Sequence, residues 1–160
     1  MVKIREYSER DRNEVVRLTE ESQEYYEPLD ELKRVQYKKK SAEFFVQLMF
    51  DKAQKEGMVY VAEENDIVVG FISGHISEID EEEQKETINK KPGVVDEFFI
   101  TESYRKKGIG TKLFIKMEEY FRAKDCDIVR LYVFAPNAPA RDFYKGKGYS
   151  DRLVTVLKVP

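Results

Sequence analysis

The chain has 160 residues, a length that suits one domain with a core of its own, and it is 41% hydrophobic and 12% aromatic. Its net charge of −3 gives no general attraction to nucleic acid or to an anionic membrane, so any anion site must be local. A single cysteine, Cys126, excludes an internal disulfide and a multi-cysteine metal site; a single histidine, His75, excludes a histidine-based metal cluster and disfavours a triad.

Met1 to Glu6 is too charged for the apolar stretch of a signal peptide, and no run approaches the roughly 20 apolar residues of a membrane span. The chain is expected to be soluble and cytoplasmic, a single domain over residues 1–160. Val2 to Tyr7 alternates apolar and charged residues, as a strand with one wet face does. Ser8 and Asp11 have the spacing of a capping box, and helical periodicity follows to about Glu24. Pro28 breaks that pattern. Two further helical pieces are predicted, Leu29 to about Lys38 and Ser41 to Lys55, the latter with an apolar stripe of Ala42, Phe45, Val46, Met49 and Ala53.

Met58 to Glu63 and Ile67 to Ile76 read as an antiparallel pair across Glu64-Asn65-Asp66. Ser77 to Gly93, with Asp80 to Glu83, reads as a loop holding a short helix. Val94 to Thr101 is a strand, Ile109 to Lys124 an amphipathic helix, and Asp127 to Phe134 a strand. Asn137 to Gly146 is a short helix and Asp151 to Val159 a closing strand. The order is β-α-α-β-β-β-α-β-α-β. The unit from Val94 to Phe134 is strand, helix, strand, so its two strands are predicted to be parallel. Cys126 reads as a small buried residue and His75 as a strand residue without a catalytic role.

Arg105-Lys106-Lys107-Gly108-Ile109-Gly110 joins the strand at Val94–Thr101 to the helix that starts near Ile109. First-turn amides of a helix lack intrahelical acceptors, and the helix dipole adds partial positive charge at the same end. A strand, a basic glycine turn and a helix start in that order suit a pyrophosphate. Glycines at 108 and 110 let the backbone approach an anion closely. The pattern is neither the Walker loop, since no Gly-Lys-Ser/Thr follows, nor the dinucleotide fingerprint, since Leu113 stands where the third glycine would be.

A second constellation lies at Asn137-Ala138-Pro139-Ala140-Arg141-Asp142-Phe143-Tyr144, with Gly148-Tyr149 after it. Asn137 suits a helix cap, Phe143 suits the core, and Asn137, Ala140 and Tyr144 share one helical face. On residue type alone Asn137 is equally a plain cap, and Tyr144 a half-buried tyrosine with its hydroxyl in water.

Taken together these segments resemble the GNAT superfamily of N-acetyltransferases, which transfer an acetyl group from acetyl-CoA to an amine. Arg105-x-x-Gly108-x-Gly110 is similar to the family's pyrophosphate motif. Asn137-x-x-Ala140-x-x-Phe143-Tyr144 is similar to its second signature, and the element order matches over nearly the whole chain. The resemblance implies an α/β (α+β) single domain with a mixed, mostly antiparallel sheet flanked by helices. It implies that Arg105 and the backbone amides of Lys106, Lys107, Gly108, Ile109, Gly110 and Thr111 serve the CoA pyrophosphate. Phe98, Phe99 and Ile100 would bind the pantetheine arm through their backbone, an amide there, that of Phe99, polarising the thioester carbonyl. Asn137 would contact the pantetheine, and Tyr144 would protonate the departing thiolate. Acetyl-CoA would be the co-substrate and no metal would be needed.

An amine attacks only after losing a proton, which a carboxylate can accept directly or through water. Asp96 and Glu97 lie on the strand in question. Strand alternation points one of them into the cleft unless a bulge intervenes, and Glu97 is favoured. Family members that acetylate protein N-termini often carry an acid where Tyr132 stands here, which counts against that substrate. Glu20, Glu21, Glu24 and Glu27 beside Tyr25 and Tyr26, together with Asp80 to Glu83, suit a small cationic amine or polyamine; the alternative for them is a solvated face. Peptide lysine or N-terminal acetylation, and a non-catalytic CoA-binding sensor domain, are the alternatives on this scaffold. Partners are expected to be a small-molecule or peptide amine and, in one arrangement, a second copy of the chain; no nucleic acid or membrane is expected.

Overall fold

The computed structural model describes residues 1–33, 35–38, 40–79, 85 and 91–158. Five strands form one sheet in the order β1 (Lys3–Glu6), β2 (Gly57–Glu64), β3 (Ile67–Ile76), β4 (Pro92–Ile100), β5 (Ile128–Leu131). The first three pairings are antiparallel and β4–β5 is parallel, as the strand–helix–strand spacing requires. Helices α1 (Arg12–Tyr26), α2 (Ser41–Glu56), α3 (Ile109–Ala123) and α4 (Ala138–Gly146) flank it.

Alternation along the strands sorts the core into two layers. Val59, Val61, Phe71 and Phe99 meet Val15 and Leu18 of α1 and Val46, Met49 and Phe50 of α2. Ala62, Ile72, Val95 and Ile100 meet Leu113, Phe114, Met117 and Phe121 of α3. Each fully buried phenylalanine in these layers contributes on the order of 2–3 kcal/mol of transfer free energy. The β2–β3 hairpin closes on Asn65 and Asp66, both with positive φ (51° and 63°), the pairing that matches strand twist. Before α1, the Ser8 amide donates to Asp11 Oδ2 at 2.8 Å, which forms the expected capping box.

Two predicted elements do not form. Instead of a helix over Leu29–Lys38 there is a 3₁₀ turn, Glu27–Leu29, and then irregular chain over the described residues 30–33 and 35–38. Pro28 begins that turn, and the Asp30 carboxylate then takes the Val35 amide at 2.6 Å, an alternative to helical pairing. Lys33 and Lys40 at positive φ complete the departure. The closing strand predicted at Asp151–Val159 is absent over residues 151–158, which are exposed and irregular; Val159 lies outside the described residues. The strand-like alternation there finds no sheet edge. Phe45, placed in the α2 stripe, is 39% exposed, and Phe50 takes the buried position instead. Cys126 is half-buried. The loop helix and acidic run expected between Ser77 and Gly93 fall mostly outside the described residues.

Candidate active site

The site begins with an irregularity in β4. Ser73 pairs with Glu97, but the next residue, Gly74, pairs with Val95, so Asp96 is an extra residue in the strand. Such a bulge bends the strand and re-aims side chains. Both consecutive carboxylates consequently face the α1/α2 side. Asp96 accepts from Lys52 Nζ of α2 at 2.7 Å, and its other oxygen lies 2.7 Å from His75 Nδ1 of β3. Glu97 lines a small cavity of about 80 Å³ with Ser22, Gln23, Tyr26, Tyr37 and Phe45. Its carboxyl has no hydrogen bond or ion pair among the described residues. Burial first, then the neighbouring Asp96 charge, raise its pKa to about 7, against a smaller opposing effect of Lys52.

The bulge also marks where β4 and β5 part. Their pairing ends at Val95–Leu131, while β4 runs on to Ile100 beside β3 alone. The Thr101 amide bonds to Val69 O across β3, so by alternation the Phe99 amide also faces β3. Phe98 and Ile100 present their backbone to the opening instead. The Phe98 carbonyl accepts from Tyr26 Oη at 3.3 Å and the Ile100 carbonyl from Arg105 Nε at 2.9 Å. The amide available to a carbonyl in that opening therefore belongs to Phe98 or Ile100 rather than Phe99.

At the end of the opening, α3 starts on Gly108, whose φ of 77° is a left-handed conformation. Backbone amides from Lys106 to Thr111 have no acceptor among the described residues, and a Cβ at Gly108 would meet nothing within 4 Å. At Gly110 a Cβ would lie 3.0 Å from the Phe98 ring and 3.3 Å from Ile100 Cδ1, so any larger residue would press on those side chains where the helix start approaches β4. Lys107 Nζ lies 4.8 Å from the Tyr104 ring centroid. Arg105 turns back into the protein, its guanidinium 4.8 Å from the Tyr25 ring centroid and 5.2 Å from that of Phe99. It anchors the loop through its side chain rather than extending over the rim.

Asn137 is the buried N-cap of α4, its Oδ1 accepting from the Ala140 amide at 3.4 Å and from Tyr25 Oη at 3.3 Å. Tyr25 thus ties α1 both to the loop at Arg105 and to α4. Tyr144, about two turns further along α4, packs its ring on Phe114 at 5.6 Å, and its hydroxyl has no hydrogen bond among the described residues. Burial, then the Glu97 charge, push its pKa up to about 12. The same charge raises Tyr26 and Tyr37, after burial in each case. Glu97, Tyr144, Tyr26 and Tyr37 therefore share one electrostatic neighbourhood.

A family model for the acetyltransferase (GNAT) family matches residues 15–149, which takes in β4, the glycine loop and α4. The chain belongs to the GNAT acetyltransferase family. It is 32% identical over 117 residues to an uncharacterised N-acetyltransferase of Methanocaldococcus jannaschii, a match over 73% of this chain and 49% of that protein; the match thus covers only about half of that relative. A mutant protein from Bacillus halodurans shares the fold at 22% identity with a TM-score of 0.80, over 99% of this chain and 98% of that one. So does a predicted acetyltransferase of Clostridium acetobutylicum solved with acetyl-CoA, at 16% identity, TM-score 0.73, over 100% and 96% of the two chains. GNAT proteins are acyltransferases that use acetyl-CoA. The free amides of residues 106–111 and the open space over Gly108 fit its pyrophosphate. No group of three or more metal-ligating side chains is assembled among the described residues, and no described helix is long and apolar enough to cross a membrane.

In this GNAT domain the two sequence constellations come together, the loop at 105–110 and the α4 face at Asn137 and Tyr144 lying at one mouth of the sheet. Lys52, His75, Tyr25, Tyr26 and Tyr37 were not found as site residues from the sequence. The sequence offers Tyr25 and Tyr26 only as aromatic groups beside acids that suit a cationic amine, not in the positions they take at Asn137 and Phe98, and Lys52 carries no local signal at all.

Proposed function

We propose that the protein transfers an acetyl group from acetyl-CoA directly to a primary amine, with Glu97 accepting the proton of the amine and Tyr144 donating to the departing sulfur. The observation that carries this is Glu97 itself: a half-buried carboxyl with no partner among the described residues and a pKa near 7, beside a tyrosine with a free hydroxyl, at the point where β4 and β5 separate. Asp96 is the weaker candidate base because Lys52 and His75 already occupy both its oxygens.

The bound coenzyme supplies an acyl group already activated as a thioester. The amides of Lys106, Lys107, Gly108, Ile109, Gly110 and Thr111 hold its diphosphate, and the backbone of Phe98, Phe99 and Ile100 lines the pantetheine path with Asn137 at its side. The Phe98 or Ile100 amide polarises the acyl carbonyl. A base with a pKa near the working pH is at its most effective. An ammonium substrate gives up two protons in the reaction. One goes to solvent through Glu97 and the other balances the proton that Tyr144 passes to sulfur. The high pKa of Tyr144 keeps its hydroxyl protonated until then. Much of the rate comes from holding amine and carbonyl together.

The acceptor is a small cationic amine or polyamine. An open cleft of about 380 Å³ adjoins the Glu97 cavity through Gln23 and Tyr37. Glu20, Glu24 and Glu27 of α1 and its 3₁₀ extension line it without ion-pair partners among the described residues, and Lys38 and Lys40 stand on its other wall. Thiol release from acetyl-CoA, measured against monoamines, diamines, polyamines and lysine peptides, tests both parts. Diamines should exceed monoamines of equal length in kcat/KM. Tyr144→Phe should lose roughly 10²-fold or more in turnover with coenzyme affinity kept. Release that is independent of amine in every case would refute the enzyme reading for this substrate class.

A further inference from the structure

We infer that Lys52, Asp96 and His75 form a positioning cluster that governs when Glu97 accepts a proton. The inference rests on the reading of Glu97 as proton acceptor and goes beyond it, to what sets its behaviour. Asp96 is the extra residue of the bulge, and both its oxygens are held, one by Lys52 of α2 and one by His75 of β3, each at 2.7 Å. A clamp on the bulge residue fixes the backbone that aims the next side chain. Glu97 then enters its cavity without a partner of its own. The cluster also places one negative and one positive group next to that carboxyl, and these act in opposite directions.

The other titratable groups around Glu97 are tyrosines: Tyr26 of α1, Tyr37 of the irregular segment and Tyr144 of α4. All stay neutral near pH 7, so the charges that act on Glu97 are those of Asp96 and Lys52, and His75 contributes by holding Asp96 in place. Asp96→Asn removes the like charge and should move the Glu97 titration to lower pH. Lys52→Met leaves Asp96 less compensated and should move it to higher pH. Each displacement should be roughly half a pH unit to one unit, the size expected for a charge several ångströms away in a partly solvated site. A role confined to stability would not move the two variants in opposite senses.

The test has two readouts on the full chain. Carbon-13 NMR of glutamate carboxyls, with Glu97→Gln assigning the resonance, gives the titration without any substrate. The acidic limb of kcat/KM for 1,4-diaminobutane acetylation gives it in turnover. Opposite displacements in the NMR titration, with Lys52→Arg restoring the wild-type midpoint, are the expected result. An unmoved midpoint, or movement in the same sense for both variants, overturns the inference. If the NMR midpoint moves as expected while the kinetic limb stays fixed, the cluster stands and Glu97 is not the base.

Discussion

Glu97→Gln should make the protein more stable above neutral pH, and the size of the gain follows from the folded-state proton affinity. Burial against the cavity wall and the Asp96 charge raise the Glu97 pKa from 4.5 to about 7. A group that holds its proton more tightly when folded leaves the unfolded chain binding fewer protons between those two values. Stability therefore falls as pH rises through that window and is constant outside it. At about 1.4 kcal/mol per pH unit, the displacement corresponds to about 3 kcal/mol of destabilisation above pH 7. A glutamine of the same shape carries no charge and escapes that term. Wild type and variant should unfold at similar urea midpoints near pH 4.5. The variant should pull ahead up to pH 7 and then hold a constant lead of about 2–3 kcal/mol, or roughly 4–12 °C in Tm for a domain of this size. Chemical denaturation at half-unit pH steps measures it. A difference independent of pH, or a variant less stable at pH 8, would refute the argument that Glu97 is half-buried in its cavity without a partner.

The coenzyme loop and the core make separate predictions. Gly108→Ala forces a side-chain-bearing residue to φ 77° and should weaken coenzyme binding about 5-fold by calorimetry, since about 1 kcal/mol of strain loads on the amides that hold the diphosphate. Gly93→Ala places a Cβ 2.6 Å from the Phe121 ring between β4 and α3, and thermal melts should show about 1–3 kcal/mol of lost stability with coenzyme affinity unchanged in the folded protein. Arg5 grips both oxygens of Asp11, at 2.6 and 2.7 Å, and holds its pKa down to about 2. The stability from that depression is present above about pH 4 and is lost as pH falls toward 2, so Asp11→Asn should flatten the acid limb of a stability-against-pH curve while lowering stability at pH 7.

What could be read from the sequence was what is local in the chain. The pyrophosphate loop was legible because a helix start writes its requirements into neighbouring residues: glycines where the backbone is exposed, apolar spacing behind them. Ser8 and Asp11 announced α1, and Asn137 announced α4, for the same reason. The bulge was not legible. It is a mismatch between two strands, and no pattern within residues 94–101 distinguishes Asp96 as the extra residue. Strand alternation alone puts Asp96 and Glu97 on opposite faces; Glu97 is favoured as the one in the cleft, but nothing in the sequence turns both to the same side. Lys52 is 44 residues from Asp96 and sits in a helix whose periodicity speaks only of core and solvent. The helix expected at Leu29–Lys38 does not form because the Asp30 carboxylate takes the Val35 amide and builds a turn there instead. The closing strand failed because alternation at Leu153, Val154, Val156 and Leu157 describes what a strand would need, not whether an edge receives it.

One extra residue in β4 links fold and chemistry here. Without it, alternation would turn either Asp96 or Glu97 toward the α3 layer, where Phe114 and Met117 leave no room for a charge. With it, both acids face α1 and α2, one paired and one not, so the paired acid raises the proton affinity of the unpaired one. The parallel pairing with β5 also stops at Val95, one position before it. The opening that bares the Phe98 and Ile100 backbone and the carboxyl that faces the acceptor cavity therefore arise from a single local event. Deletion of Asp96, which would restore one-to-one pairing, would be expected to close the opening and misdirect Glu97 together, whereas substitutions in the α3 loop would affect coenzyme binding alone.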